Sequence, residues 1–234
     1  MKTKLFICVF VLALLPVFSP AQEKVAGEQL TYKLPAPNLK GSVSVEETMA
    51  TRRSQRKFLN DGVTIENISQ ILWAAYGVTK PLDFPQTRGG FRTAPSAGAL
   101  YPLELYLLVG NIKGIEPGVY KYNAQNHSIV RVIAKDVKKE LAVASYNQKM
   151  IEAAPACLLY SAVYSRMTKK YGERGRERYV CMDLGHSAQN VYLQAEALHL
   201  GTCAIGAFAD ADVKSVMQLP EEEEPLYMMP IGKY

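Results

Sequence analysis

Residues 92–109 read RTAPSAGALYPLELYLLV, and this stretch decides the fold that we expect. From Leu103 to Val109, leucine or valine alternates with other residues, which predicts a buried β-strand. Before the strand, Ser96 is a good helix N-cap and small residues follow it. A short helical turn leaves backbone N–H groups unpaired, so residues 95–99, here named the cradle, would admit a flat or anionic ligand. An ordinary loop entering a core strand explains the same residues.

The bulk composition limits the classes of protein that the chain can belong to. Its 234 residues are 48% hydrophobic and 21% charged, which predicts one folded domain with a sizeable core. Removing Lys2 and Lys4 with a leader leaves 25 basic and 22 acidic residues, a net charge of +3. Because nucleic-acid binding needs a concentrated basic face, this mild charge does not predict a nucleic-acid partner.

The first residues predict export from the cytoplasm. Residues 1–21 have a charged start, an apolar run over Leu5–Leu15 and the small residues Ser19–Ala21, as in a secretory signal peptide. The run is shorter than a membrane span, so we expect no transmembrane segment after cleavage and a periplasmic or secreted protein. An uncleaved anchor is the alternative. Residues 22–44 are expected to form an extended arm or linker, and residues 45–234 the folded domain.

The folded part alternates helical and strand periodicity, which predicts an α+β fold with helices around a small mixed sheet. Thr64–Tyr76 is predicted to be a helix capped by Thr64. Apolar residues over Arg178–Leu200 recur at steps of three and four, which predicts a long helix that is the core's spine or a subunit interface. We expect Glu221–Glu224 to be a solvated loop and His127 to lie on the surface.

The cysteines do not indicate a metal site. Cys157, Cys181 and Cys203 are widely spaced beyond the leader, and no CxxC or Cys/His spacing of a zinc site occurs. Each has apolar sequence neighbours, so all three are expected to be buried free thiols.

Six motifs occur in a fixed order: RRSQRKF at 52–58, PSAGALYP at 95–102, KYGERGRERY at 170–179, GHSAQN at 185–190, GTCAIGAF at 201–208 and PIGK at 230–233. The series resembles the nitroreductase-like FMN flavoproteins, in particular the branch that includes the azoline oxidases of peptide maturation. The resemblance covers residues 45–234. It implies a nitroreductase-like α+β fold and a homodimer that binds FMN at the subunit interface.

The resemblance also implies the cofactor contacts. The phosphate and ribityl contacts would be Arg52, Arg53, Ser54 and Arg56, joined by Lys233. The flavin ring would lie against Pro95, Ser96, Ala97 and Gly98 of the other subunit, and Ile205, Gly206 and Ala207 would cover its other side. From the residues alone, a solvated basic helix end explains the arginines equally well.

Lys170 and Tyr171 match a Lys–Tyr acid/base pair of the azoline-oxidising branch. Lys170 would exchange a proton if burial favoured its neutral form, while Tyr171 orients or donates. An exposed charged loop explains the same residues. Ala99 departs from the family, because many members have an asparagine there whose amide contacts the flavin.

These features together predict an FMN-dependent oxidoreductase that transfers hydride through flavin N5 to or from a small organic or peptide substrate. Nicotinamide cofactors are scarce outside the cytoplasm, so an exported enzyme would use its substrate as the reductant, with oxygen or a quinone as acceptor, or a membrane electron carrier. Rapid turnover with NAD(P)H would contradict that inference. The alternatives are an exported flavin-binding protein without turnover and an enzyme that cleaves the flavin ring.

Overall fold

Seven strands form one sheet in a computed structural model that describes residues 29–59 and 62–234. The sheet order is β1-β6-β5-β4-β7-β9-β8, and β2 and β3 form a separate hairpin. The predicted signal peptide and residues 22–28 of the arm lie outside the described residues. The strands are β1 (Thr31–Lys33), β2 (Val78–Pro81), β3 (Gly90–Arg92), β4 (Leu103–Val109), β5 (Gly118–Asn123), β6 (Ser128–Ile133), β7 (Ala156–Ala162), β8 (Gly201–Thr202) and β9 (Glu224–Gly232).

Helices cover both faces of the sheet, which confirms the α+β architecture. Every strand pair is antiparallel; the parallel pairing found among the described residues is an isolated bridge between Ser54 and Thr202, so the sheet is larger and less mixed than expected. The helices are α1 (Val45–Thr51), α2 (Ile65–Tyr76), α3 (Lys138–Ala144), α4 (Met150–Ala153), α5 (Ser165–Tyr171), α6 (Val180–Ala197) and α7 (Asp210–Val216).

Strand β4 lies at the centre of the sheet, and all seven of its residues are buried, as the sequence predicts. Leu105 and Leu107 face a core that α2 and α6 complete. Tyr106 and Leu108 face a second core built with α3 and α7. The alternation along β4 therefore separates two buried faces.

Helix α2 begins at a capping box. The Thr64 side chain accepts a hydrogen bond from the Asn67 N–H, and the Asn67 side chain accepts one from the Thr64 N–H, which satisfies two terminal donors. The helix packs on α6 through fully buried side chains that include Ile68 and Leu72. Helix α6 is shorter than predicted at both ends: it begins later because Gly175–Tyr179 form a π-helical turn before it, and it ends at Ala197 because Leu198 leaves the helical conformation.

The described residues of the arm pack on the domain. Thr31–Lys33 pair with β6 at one edge of the sheet, and the flanking Leu30 and Leu34 are buried. His127, which we expected on the surface, is half-buried beneath the arm. Its Nε2 lies 3.0 Å from the Pro35 carbonyl oxygen and 2.7 Å from Ser69 Oγ. His127 therefore connects the arm to α2.

This contact predicts a pH-dependent stability. Burial lowers the pKa of His127, so the folded state favours the neutral ring. The unfolded chain binds the proton more readily, so the stabilisation is complete above about pH 6.5 and is lost as the pH falls below that value. We expect the free energy of unfolding in urea to fall as the pH is lowered from 7 to 5, and to fall less in the His127→Asn variant. Asparagine is chosen because it tolerates the φ of 46° observed at this position. Equal pH dependence in both proteins would contradict the assignment.

Two further expectations are wrong. Cys181 is exposed, whereas Cys157 and Cys203 are buried. Glu223 belongs to a loop that we expected to be solvated, but it is 2% exposed. Its buried carboxylate is paired with Lys121 at 2.6 Å and with Ser161 Oγ at 2.5 Å. Among the described residues, the helices are all too short or too polar to span a membrane.

Candidate functional site

Strand β8 brings two distant segments together at one corner of the sheet. Ser54 bridges to Thr202, and the Gln55 N–H donates to the Thr202 carbonyl at 2.9 Å. On its other side β8 pairs with β9, which Lys233 follows directly. The Leu59 N–H donates to the Lys233 carbonyl at 2.8 Å. The predicted phosphate contacts in residues 52–56 and Lys233 thus flank the same strand, and we name this region the basic corner.

The basic corner carries uncompensated positive charge. Within residues 29–59 and 62–234, Arg52, Arg53, Arg56 and Lys233 form no ion pair. Arg53 donates only to the backbone carbonyls of Ala50 and Arg52. Guanidinium groups with free donors match the oxygens of a phosphate group in charge and geometry. The residues present therefore fit the phosphate end of a flavin mononucleotide.

Tyr192, on α6, holds the inner side of the corner, and the motifs did not predict it. Its hydroxyl lies 3.1 Å from Ser54 Oγ and accepts a hydrogen bond from the Ala204 N–H at 2.8 Å. The guanidinium carbon of Arg52 lies 5.2 Å from the centroid of the Tyr192 ring, within cation–π range. One side chain thereby connects residues 52–54 to the start of the loop that contains residues 205–207.

That loop presents fewer backbone donors than the resemblance implies. The Ile205 N–H donates to the Met228 carbonyl at 2.8 Å, and the side chain is buried, so this N–H is not free to meet a ligand. Gly206 and Ala207 are exposed, and in the described chain their N–H groups have no hydrogen-bond partner. The available donors are therefore those of Gly206 and Ala207.

The cradle is built differently from the expected capped turn. Ala97–Ala99 form a 3₁₀ turn after Ser96, but the Ser96 side chain does not cap it. Instead Ser96 Oγ donates to Asp183 Oδ2 at 2.5 Å and accepts from the Tyr101 N–H at 2.9 Å. The Ala97 N–H donates to the other Asp183 oxygen at 3.3 Å. The expected capping role of Ser96 is wrong, because Asp183 competes for its hydroxyl.

Asp183, on α6, contacts the cradle, and the motifs did not predict it. It is 2% exposed, and burial raises its pKa while the hydrogen bonds from Ser96 and Ala97 act in the opposite direction. A carboxylate on the buried side of a long helix requires such partners. The sequence signal for Asp183 is its position directly before Leu184, which belongs to the apolar face of α6.

Backbone conformation exposes the tip of the cradle. Gly98 has a φ of 64°, Ala99 of 55° and Tyr101 of 47°. The left-handed region costs a residue with a β-carbon about 1–2 kcal/mol, and such strain occurs often at functional sites. Pro95 and Gly98 are exposed, and the Gly98 N–H has no partner among the described residues. The cradle thus offers an open surface and a free donor.

The structure places the predicted acid/base pair beside the cradle. A β-carbon at Gly98 would lie 2.7 Å from Tyr171 Oη and 3.1 Å from Lys170 Nζ. The Tyr171 ring packs edge-on against Tyr179, with 5.0 Å between centroids. Lys170 is exposed in the described chain. Gly98 and Lys170, which are 72 residues apart in sequence, therefore lie close together within one chain.

Helix α6 separates the cradle from the basic corner. Asp183 contacts the cradle and Tyr192 contacts the corner, nine residues further along the helix. At 1.5 Å and 100° per residue, these positions lie about 14 Å apart along the axis and on opposite faces. The chain therefore presents two half-sites, the cradle and the basic corner, that face different directions.

Comparison with known proteins supports the same family. The nitroreductase family model matches residues 49–233. A protein of Methanocaldococcus jannaschii, named as a candidate nitroreductase, is 43% identical over 203 residues, covering 87% of this chain and 97% of that protein. The trifolitoxin-processing protein TfxB of Rhizobium leguminosarum bv. trifolii is 31% identical over 166 residues, covering 69% of this chain and 44% of that protein.

Comparison of the structure with solved structures indicates the same family. A solved structure of a candidate nitroreductase from Ralstonia eutropha matches with a TM-score of 0.74 and 26% identity, over 92% of this chain and 93% of that one. The nitroreductase fold that the motifs predicted is thereby confirmed. Since the family match also spans most of the sequence, the chain belongs to the nitroreductase family of oxidoreductases.

Proposed function

We propose that the protein is an exported, homodimeric, FMN-dependent oxidoreductase. The observation that carries this proposal is the pairing of four uncompensated cations at the basic corner with an open cradle that holds Lys170 and Tyr171 beside Gly98. The first half-site suits a phosphate group. The second suits a flat ring and a substrate that exchanges a proton.

The basic corner would hold the phosphate and ribityl chain. Arg52, Arg56 and Lys233 would donate charge-assisted hydrogen bonds, and Ser54 would add a neutral donor. Arg53 points its Nη1 donor toward the carbonyls of Ala50 and Arg52, which leaves its remaining donors for the ligand. This assignment of the site residues rests on the resemblance and on their unpaired charge.

The opposite orientation of the half-sites supports a composite site. We infer that the basic corner and Gly206–Ala207 of one protomer face the cradle of its partner. The exposed N–H groups of Gly98, Gly206 and Ala207 would then point at the ring from two sides, and fixed donors stabilise negative charge where water is excluded. Dimer contact would also cover Lys170, which is exposed in one chain.

Bound FMN would supply hydride transfer through its N5. The residues of this chain would handle the accompanying proton: Lys170 Nζ would take or give it, and Tyr171 Oη would orient the substrate or donate. The edge-on packing of Tyr179 fixes the Tyr171 ring for that purpose. The similarity to a trifolitoxin-processing protein favours a peptide-derived substrate over other small organic compounds.

Export rests on the predicted signal peptide at residues 1–21. An exported enzyme would take electrons from its substrate, passing them to oxygen or a quinone, or would receive them from a membrane carrier. A second candidate function is flavin binding without turnover, which the exposure of Lys170 favours, because the predicted proton exchange depends on burial of this side chain.

The test is the visible spectrum of the purified protein beginning at Gln22, before and after addition of FMN. Protein-bound flavin bands, followed by reduction with an organic substrate or a quinol and by reoxidation, would support the enzyme. A protein that takes up no FMN would overturn both functions. Bound flavin that no donor reduces would favour the second candidate, and rapid NADPH turnover would contradict the inferred electron source.

Replacing Gly98 by alanine is expected to lower turnover about tenfold and to lower the free energy of unfolding by about 1–2 kcal/mol, because Gly98 has a φ of 64°. The new β-carbon would displace the ends of Lys170 and Tyr171, which lie 3.1 and 2.7 Å away and belong to movable side chains. Gly114→Ala is the matched control, because Gly114 has a φ of +87° but a β-carbon there would meet no atom within 4 Å. If the two variants lost turnover equally, the loss would be caused by backbone strain and not by displacement of Lys170 and Tyr171.

A further inference from the structure

A cavity of about 610 Å³ lies where strands β4 and β5 cease to pair. Their pairing ends at Tyr106 and Lys121, and residues 103–105 and 122–124 beyond this point line the cavity. The volume lies in the range of small-molecule sites. None of the residues of the basic corner lines it. Its charged lining consists of Arg88, Arg92, Lys121, Arg166 and Glu104.

Arg92 has no ion-pair partner among the described residues, although it is largely enclosed. Its guanidinium carbon lies 4.3 Å from the ring centroid of Tyr76 and 5.0 Å from that of Tyr101. Its two terminal nitrogens donate only to the carbonyls of Tyr76 and Arg88, each at 3.2 Å. Enclosed cations are normally paired, so this arrangement lacks an anion.

Two buried polar atoms at the cavity also lack partners. Tyr76 is 2% exposed, and its hydroxyl donates to no acceptor within the described part of the chain. The Nε of Arg92 is likewise buried without a partner. Because buried polar atoms are nearly always hydrogen-bonded, two such unpaired atoms on residues that line one cavity indicate a missing acceptor.

The carboxylate in the lining is already occupied. Glu104 lies 2.6 Å from Arg88, 2.7 Å from Arg166 and 3.6 Å from Lys121. Lys121 also contacts Glu223 at 2.6 Å. Even with Glu223 included, four cations face two carboxylates, so the region keeps an excess of positive charge.

We propose that this cavity binds a small organic anion through a carboxylate or phosphate group, held by Arg92 and the Tyr76 hydroxyl. The bound anion supplies the acceptor that both orphaned donors lack. The cavity adjoins the cradle through Tyr101, whose carbonyl accepts from Arg88 at 3.0 Å and whose hydroxyl accepts from the Arg92 N–H at 3.3 Å. The site is separate from the phosphate contacts of the basic corner.

Isothermal titration calorimetry with inorganic phosphate and with succinate tests the proposal. The titrations use Arg52→Ala/Arg56→Ala protein at constant ionic strength set with chloride, so that anion binding at the basic corner is weakened. One saturable site is expected for at least one probe: phosphate alone would assign the phosphate class, and succinate alone the carboxylate class. Absence of binding by both probes would overturn the proposal.

Tyr76→Phe in the same background separates a ligand contact from a structural role. The variant removes one orphaned hydroxyl and keeps the ring, so its thermal midpoint without ligand is expected to be unchanged or higher. Anion affinity is expected to fall about tenfold, because a hydrogen bond to a charged group is lost. Arg92→Met is expected to abolish binding. If both variants bind the probe as tightly as their parent, the anion occupies another site and the proposal fails.

Discussion

Replacing Arg52 and Arg56 together by alanine is expected to weaken FMN binding about a thousandfold. Each guanidinium would lose hydrogen bonds to a charged phosphate, at about 1.5–3 kcal/mol per group, and 1.4 kcal/mol corresponds to a tenfold change in affinity. The fold should survive, because neither side chain is in an ion pair among the described residues and Arg56 is exposed. Flavin fluorescence titration measures the affinity.

Lys139→Ala/Lys149→Ala is the matched control for this variant. Both lysines are exposed, and their removal lowers the net charge by the same two units. If the loss of FMN affinity reflected only long-range attraction, the two double variants would bind alike. Retention of wild-type affinity by Arg52→Ala/Arg56→Ala would remove the basic corner from the site.

Glu104→Ala is expected to lower the free energy of unfolding by about 3–5 kcal/mol, because it leaves three nearby cations without their shared carboxylate. Burial opposes ionisation of Glu104, yet Arg88, Lys121 and Arg166 together hold its pKa below the ordinary value. A lowered pKa in the folded state stabilises the protein above the unfolded value, near 4.3, and this contribution is lost as the pH falls further.

Glu140→Ala tests whether burial causes the difference. Glu140 contacts Lys135 at 2.7 Å, close to the 2.6 Å between Glu104 and Arg88, but both members of this pair are exposed. Exposed pairs contribute about 0–1 kcal/mol, so a much smaller loss is expected in urea unfolding at pH 7. Comparable losses in the two variants would show that the Glu104 cluster is as well solvated as the surface pair.

Local signals predict the central elements of the fold. The alternation over Leu103–Val109 indicates the buried strand β4, and Thr64 marks the start of α2, because periodicity and capping depend on residues close in sequence. The docking of the arm is not predictable in this way, because the partner of Thr31–Lys33 lies almost 100 residues away, in β6. The burial of Glu223 escapes prediction for the same reason, since Lys121 and Ser161 are remote in sequence.

The candidate site divides along the same line. The motifs indicate Arg52, Lys233 and Gly98 through resemblance, but their grouping depends on β8 and α6. Asp183 and Tyr192 escape prediction because their contacts with Ala97 and Ser54 join residues that are 86 and 138 positions apart. For Asp183, the local sequence signal is a carboxylate next to an apolar position of the helix. For Tyr192, the local sequence gives no such signal.

Strand β9 lies between β7 and β8, and residues 54–59 pair beside β8 and Lys233. During synthesis, residues near the start of the domain must therefore wait for residues 224–233 to leave the ribosome before the basic corner can form. Contacts of such long sequence separation form late in folding, since a large loop has to close first. Under the proposed function, FMN uptake therefore follows translation, and FMN is expected to slow the unfolding of the chain without accelerating its folding.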